Sequence, residues 1–391
     1  MSYAVKLINP LLIKILKKRK RMIFRGDVKM NPRERVIKAI EREDPDRVPL
    51  DIWASYPFMV RLLEYFGYEK EAVHPHLDRK GVMDKVYDRL GIDFRTIMVE
   101  PPDEFKAKAI FDPRFHFPWG IKIGEDILKD EWGVIRELNV TKTQSRIIGY
   151  PLKGIKSIDD YDFPDPYAPG RFELAQKTAK KCRRYAIIGY LGGDPFFSQA
   201  WYLMGFSETI RKMYAEKEFI MRLFDKMLFF FREVGKQLIE IGSDIIMIAD
   251  DVGGQDRMLI SPELWRSIVK PYLASLIKAL KKEGVYIMYH SDGIIEPIIP
   301  DLIEMGVDIL NPIQPECMDP AKIKVKYGDK VTLHGTISIQ KTLPYGEIAE
   351  VKEEVKERIA TCGYDGGLVL SPSNQVLIDT KVENFLALYE T

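Results

Sequence analysis

The apolar run at 285–289 ends in Tyr289-His290-Ser291-Asp292-Gly293, which delivers an imidazole and a carboxylate together. These groups serve as general acids and bases and also ligate metals. The same kind of ending recurs along the chain. The run 48–53 carries Asp51, 93–98 is followed by Glu100, 185–191 leads into Gly192-Gly193-Asp194, and 244–249 stops at Asp250-Asp251. Further on, 307–310 delivers Asn311 and Gln314, 331–333 gives His334 and Thr336, and 368–370 gives Ser371, Ser373 and Asn374. Parallel strands that aim polar ends at one mouth describe an enzyme more readily than a binding scaffold.

Most of these runs are apolar on both faces rather than alternating, as expected of strands covered by helices on both sides. Between them lie helical patterns with defined stops. The stretch 219–241 has apolar residues at helical spacing and ends at Gly242. Ser261-Pro262-Glu263-Leu264 reads as an N-cap with proline at the first helical position, opening a helix broken or restarted around Pro271 and ended by Gly284. The stretch 348–359 is another amphipathic helix, with Gly363 past its end. Repeated strand, helix and glycine units predict a closed (β/α)8 TIM barrel with right-handed crossovers.

The 391 residues exceed the roughly 250 of a plain barrel. The excess is concentrated in the proline-rich 100–175, read as an insertion after the second strand, with a hairpin pairing 131–134 with a strand near 147–148. Residues 30–391 form the barrel unit, and 1–29 form an N-terminal extension. Within that extension, 11–24 interleaves leucine and isoleucine with lysine and arginine, giving a basic amphipathic helix. It suits docking on the barrel, a partner or an anionic membrane.

A net charge of +1 offers no electrostatic case for nucleic acid. Cys182, Cys317 and Cys362, at unrelated spacings, argue against a disulfide framework and fit a reducing cytoplasm. No apolar stretch is long enough to span a bilayer.

Asn31 caps a helix with Pro32 at its first position and Glu34 at its third. That start belongs to Met30-Asn31-Pro32-Arg33-Glu34-Arg35-Val36, continued by Asp44-Pro45-Asp46-Arg47-Val48-Pro49-Leu50-Asp51. With Asp130-Glu131-Trp132-Gly133-Val134, Ile260-Ser261-Pro262-Glu263-Leu264-Trp265, Tyr289-His290-Ser291-Asp292-Gly293 and Asn311-Pro312-Ile313-Gln314, the chain resembles the uroporphyrinogen decarboxylase superfamily. The resemblance runs from Met30 to Tyr389 and implies a (β/α)8 barrel with its site at the carboxyl ends of the strands.

The superfamily has two chemical branches. Its decarboxylases carry an arginine-rich loop, an aspartate after the second strand, a tyrosine after the third and a histidine after the eighth. Here Arg61 is the only base in the stretch after Asp51, the aspartate position is Glu100, the tyrosine position falls near Trp201 or Tyr202, and the histidine position is Asn374. A substrate with eight carboxylates needs several guanidinium forks, which this stretch lacks. The corrinoid-dependent methyltransferases instead carry zinc on a His-x-Cys pair and a later cysteine. His290 keeps the first ligand position, Asp292 replaces the cysteine, and Ser371 or Ser373 stands near the last.

By this resemblance the chain is an O-demethylase type of methyltransferase working with a separate corrinoid protein. Its catalytic group is His290, Asp292 and Asp250, and a zinc ion would take His290, Asp292, Asp250 and Cys317 as ligands. Whether a metal binds stays open here, as does which of the adjacent Asp250 and Asp251 faces the mouth and which caps a turn. No Asp-x-His-x-x-Gly cobalamin signature is present, so the corrinoid arrives on a partner. Trp53, Tyr56, Phe58, Phe196, Phe197, Trp201 and Tyr202 follow the first and third runs and offer flat walls for a small methoxylated aromatic. Some of these rings simply pack the insertion onto the barrel. Expected substrate contacts are Trp53, Tyr56, Glu100, Phe196, Trp201, Tyr202, Asn311, Gln314, His334, Ser373 and Asn374. His334 reads equally as a hydrogen-bonded core imidazole, and Cys317 as a small buried hydrophobe. A decarboxylase and a non-catalytic barrel that serves as a binding module remain the alternatives, and the family is consistent with a homodimer.

Overall fold

The computed structural model describes residues 29–68 and 81–391, so the basic segment 11–24 lies outside the described residues. Helices α1 (Pro32–Ile40), α2 (Tyr56–Tyr65) and α3 (Val82–Leu90) precede strand β1 (Phe94–Met98). A short α4 (Asp103–Lys106) leads into β2 (Ile110–Phe111), β3 (Trp119–Gly124), β4 (Ile127–Lys129), β5 (Ile135–Leu138) and β6 (Ser145–Gly149). Next come α5 (Glu173–Lys181), β7 (Ala186–Tyr190), α6 (Phe197–Met204), α7 (Phe206–Ala215), α8 (Lys217–Ile241) and β8 (Ile245–Ala249). Helices α9 (Pro262–Ile268) and α10 (Lys270–Lys281) precede β9 (Tyr286–His290), and α11 (Ile299–Met305) precedes β10 (Ile309–Ile313). The chain ends through α12 (Pro320–Tyr327), β11 (Thr332–Ile337), α13 (Thr342–Tyr345), α14 (Ile348–Cys362), β12 (Leu368–Pro372) and α15 (Val382–Tyr389).

Strands β1, β7, β8, β9, β10, β11 and β12 form one seven-stranded sheet in that order, parallel throughout. Alternate residues sort onto its two faces. Phe94, Met98, Ile188, Ile245, Met247, Ala249, Met288 and Ile309 cluster on the concave side. Ile97, Ile187, Ile246, Ile248, Ile287, Tyr289 and Leu310 pack with the outer helices.

The expected first strand, 48–53, is not one, but its backbone links the two edges of the curled sheet. The Asp51 N–H donates to the Leu370 carbonyl, the Leu370 N–H donates to Pro49, and the Asp93 N–H donates to Leu50. A longer ladder fails because Pro49 has no N–H and carboxylates take the next donors: Leu50 N–H goes to Asp93 Oδ2 and Ile52 N–H to Asp51 Oδ1.

Strands β2 to β6 form a separate five-stranded antiparallel sheet within the stretch expected as an insertion. The expected hairpin is shifted: β5 pairs with β6, with Arg136 opposite Ile147, while 130–134 is a turn closed by the Asp130 N–H on Val134 O. Asp130 Oδ1 also accepts the Val134 N–H, which holds those residues out of the ladder. Elsewhere the local signals act as expected. Asn31 and Glu34 form a capping box on α1, Ser261 caps α9, and the expected break near Pro271 separates α9 from α10. No helix among the described residues is long and apolar enough to cross a membrane.

Candidate active site

His290 is the last residue of β9 and follows the concave-side Met288 by two, so its ring faces into the sheet's carboxyl-end mouth. There it meets Asp251, just past β8, and Asp292. Its Nε2 lies 3.8 Å from Asp251 Oδ1 and 4.0 Å from Asp292 Oδ1, and one ligand atom from each residue fits within 4.8 Å of the others. A tetrahedral ion with bonds of about 2.0–2.1 Å needs donor atoms roughly 3.4 Å apart, so seating one requires the three side chains to draw together. The donor set of one imidazole and two carboxylates fits a divalent cation.

Several contacts fix this cluster. The Asp292 N–H donates to Asp251 Oδ1 (2.9 Å), and the Asn374 amide donates to both Asp292 oxygens (2.7 and 2.6 Å). Trp53 stacks on the His290 ring at 5.2 Å with 14° between planes. Gln314 accepts the Gly293 N–H (3.2 Å), which ties down the loop behind Asp292. Burial alone would lower the His290 pKa, but facing Asp251 and Asp292, with the Asn311 hydrogen bond, it is held above its ordinary 6.5. Burial raises both aspartates, and the imidazole's opposing pull does not cancel that.

Asp250 does not join them. Its carboxylate is fully buried on the helix side and accepts the Ser198 N–H (2.7 Å) and Phe197 N–H (3.3 Å) at the start of α6. Asp251 takes the place assigned to Asp250. Cys317 is also outside the cluster: its Sγ lies 3.6 Å from Gln255 Oε1, and burial with Glu316 and Asp292 nearby pushes the thiol up to about 11.

The other expected contacts divide. Asn311 and His334 are sealed beneath the cluster at 2% and 0% exposure, so they bond to each other and to neighbours rather than to a ligand. Phe196 is buried against Phe224 and Tyr272, and Phe58 against Phe385. Phe197 is likewise fully buried, and so is Ser373. Glu100 accepts from the Trp119 indole (3.0 Å) and so ties the second sheet to the end of β1. Trp53, Tyr56, Trp201 and Tyr202 stay half-buried, with Trp201 edge-on to Tyr202 at 4.3 Å. Arg61 donates to the Ile378 and Thr380 carbonyls (2.6 and 3.3 Å).

The second sheet supplies groups that the sequence reading missed. A cleft is lined by Phe117, Trp119, Trp132, Arg136, Gly192 and Gln199, among others. The Arg136 guanidinium pairs with Asp130 and lies 4.9 Å from the Phe117 ring and 5.5 Å from the Tyr202 ring. Tyr202 and Tyr190 donate to opposite oxygens of buried Asp194 (2.7 and 2.8 Å). Burial raises the Asp194 carboxyl despite these bonds and raises both phenols well above their ordinary value. The motif at 130–134 anchors the sheet: Glu131 pairs with Arg171 (2.7 Å), and Trp132 stacks on Phe231 of α8 at 5.8 Å.

Comparison with known proteins places this geometry in a lineage. The chain is similar to a methylcobamide:CoM methyltransferase, MtaA, of Methanosarcina barkeri, at 31% identity over 39% of this chain and 42% of that protein. It is similar to the uroporphyrinogen decarboxylase of Thermus thermophilus at 23% identity, over 47% of this chain and 54% of that one. The matches therefore span about half the length of these curated relatives. A solved methyltransferase from Methanosarcina mazei shares the fold with a TM-score of 0.67, at 19% identity, over 93% of this chain and 98% of that one. The family model for uroporphyrinogen decarboxylase (URO-D) matches residues 137–391, and the chain belongs to that family.

Proposed function

We propose that this protein is a methyltransferase that moves a methyl group from a small, methoxylated aromatic compound to the cobalt of a corrinoid carried by a separate protein. We read the fold as a (β/α)8 barrel in which 49–51 act as the eighth stave. The observation that carries the reading is the convergence of Asp251, His290 and Asp292 at the mouth. A methyl on oxygen is a poor electrophile until its leaving oxygen is protonated or bound to a Lewis acid. A divalent ion such as zinc, held by His290 Nε2 and the two carboxylates, would supply that Lewis acidity, and an oxygen-rich donor set suits an oxygen leaving group.

The protein's own groups divide the remaining work. Phe117, Trp119 and Trp132 line the cleft and offer flat surfaces to a ring. Asp194, raised by burial and held by Tyr190 and Tyr202, is the proton donor for the departing oxygen. Asn374 keeps Asp292 turned toward His290.

The relatedness to a uroporphyrinogen decarboxylase favours a carboxy-lyase as the second reading. A direct assay separates the two. Protein incubated with zinc(II), cob(I)alamin and a panel of methoxylated benzoates and phenols is expected to form methylcob(III)alamin, read from its absorbance. Asp251→Ala and His290→Ala are expected to abolish it. Carbon dioxide release from a carboxylated pyrrole without methyl transfer from any of the panel refutes the proposal in favour of the lyase.

A further inference from the structure

Beneath the cluster runs a chain of buried hydrogen bonds with no role in holding the fold's ladders. His290, Asn311 and His334 lie side by side on β9, β10 and β11. Asn311 is in register with His290, and Leu310 with Leu333, one residue before His334. Adjacent parallel strands are about 4.8 Å apart, so a ring, an amide and a ring on one face can meet end to end. His290 Nδ1 bonds Asn311 Oδ1, Asn311 Nδ2 lies 2.6 Å from His334 Nδ1, and His334 Nε2 lies 2.9 Å from Asp51 Oδ2. Exposures of 5% for Asp51, 0% for His334, 2% for Asn311 and 9% for His290 shut water out of the path.

The far end sets the direction of every bond. Asp51 is an acceptor that also receives the Ile52 N–H (2.8 Å) and the Trp53 indole N–H (3.3 Å). A neutral His334 therefore donates from Nε2, which leaves its Nδ1 as an acceptor for the Asn311 amide N–H. The Asn311 oxygen then faces His290 and accepts from Nδ1. With His334 neutral, turning the amide over would leave a bare Nε2 against the Asp51 carboxylate, setting two acceptors at 2.9 Å.

We propose that Asp51 is a positioning residue for His290: through His334 and Asn311 it fixes the imidazole as the Nδ1–H tautomer and keeps the Nε2 lone pair facing Asp251 and Asp292. The proposal rests on the reading of His290 Nε2 as a ligand atom. Partners that orient a ligating histidine through its other nitrogen commonly alter metal affinity by about 10–100-fold when removed. Asn311 and His334, expected from sequence as substrate contacts, act here on the ligand instead. An asparagine at 51 would weaken the command. With its oxygen on Ile52 and its NH2 toward His334, the whole chain of bonds reverses and His290 carries its proton on Nε2.

The test reads the tautomer directly. Protein labelled with 15N-histidine holds five histidines, so His290→Asn assigns the signal of interest in long-range proton–nitrogen spectra. At a pH alkaline enough to neutralise the ring, metal-free wild type is expected to show His290 protonated on Nδ1 and bare on Nε2. Asp51→Asn is expected to shift it toward the Nε2–H form and to weaken cobalt(II) binding by about 10–100-fold. Asp51→Glu is expected to recover part of both. Asn311→Ala cuts the same path without touching Asp51, and both changes are expected there too should Asp51→Asn fail to fold. A wild-type ring protonated on Nε2, or an unmoved tautomer in folded Asp51→Asn and Asn311→Ala, overturns the proposal. A responsive tautomer in a protein that binds no cobalt(II) upholds the relay and defeats the metal reading instead.

Discussion

Two adjacent aspartates with opposite duties give the sharpest test of the site. Asp250 sits on the helix side, where it serves two backbone N–H groups at the start of α6; Asp251 sits in the mouth facing His290. Replacing Asp250 by asparagine keeps one acceptor and turns an NH2 toward the other N–H. One buried donor left unpaired costs about 1–3 kcal/mol. The negative charge near a helix N-terminus contributes about 0.3–1 kcal/mol more. Against these, burial already raises the Asp250 carboxyl well above its ordinary range, so removing the charge returns part of the loss. The net expectation is a destabilisation of about 1–3 kcal/mol with cobalt(II) affinity changed less than about threefold.

Asp251→Asn reverses the pattern. The half-buried side chain keeps an oxygen to accept the Asp292 N–H, so stability moves by less than about 1 kcal/mol. Loss of an anionic ligand weakens cobalt(II) binding by more than the roughly 100-fold typical of groups one step removed from the ion. Urea unfolding in chelator gives the first quantity, and cobalt(II) titration followed by visible absorbance gives the second. A cobalt(II) affinity that falls in Asp250→Asn and survives in Asp251→Asn refutes the assignment of the two residues.

Two further outcomes follow from the same geometry. His290, Asp251 and Asp292 all have raised pKa values in the fold. A group whose folded pKa is raised contributes stability in full below its unfolded pKa and loses it as pH climbs through the folded one. For His290 that window opens at its ordinary 6.5, so metal-free protein is expected to melt at progressively lower temperature as pH rises from there. A melting temperature that increases over that range contradicts the assignment. At Gly253, an added Cβ would lie 2.2 Å from the Asp292 carbonyl oxygen and 2.9 Å from the Gly293 carbonyl carbon. Gly253→Ala is expected to push the Asp292 loop away, costing about 1–3 kcal/mol and weakening metal binding together; an unchanged denaturation midpoint would count against so tight a seam.

The sequence shows the strands but only part of the site, and the reasons are specific. Seven of the apolar runs become parallel strands, and most of them are apolar on both faces, as a helix-covered sheet accommodates. The period of two also held an unused signal. Residues 245, 247 and 249 point inward and 246 and 248 outward, so 251 belongs to the mouth and 250 to the helix layer. The same count puts Asp292 with His290, and Asn311 with Ile309, on the concave side. The choice among aromatic walls was not readable in that way. Phe58, Phe196 and Phe197 lie on helices or at their starts, where burial depends on the partner helix. Of the rings that line the cleft, Trp119 lies on β3 while Phe117 and Trp132 lie on the segments beside the second sheet, where alternation carries no signal.

The arrangement of charge explains why family membership alone does not decide the chemistry. A porphyrinogen presents carboxylates around its rim, and each must meet a cation. At this mouth the guanidinium of Arg136 is paired with Asp130, and that of Arg171 with Glu131. Arg61 is engaged by backbone carbonyls. What faces His290 is acidic: Asp251 and Asp292. Two like charges about 4 Å apart repel by roughly 4 kcal/mol near a protein surface, so each substrate carboxylate brought to such a lining costs binding energy instead of supplying it. An uncharged ring with an ether oxygen incurs no such penalty, which is why the proposed reading takes a methoxylated aromatic over a porphyrinogen.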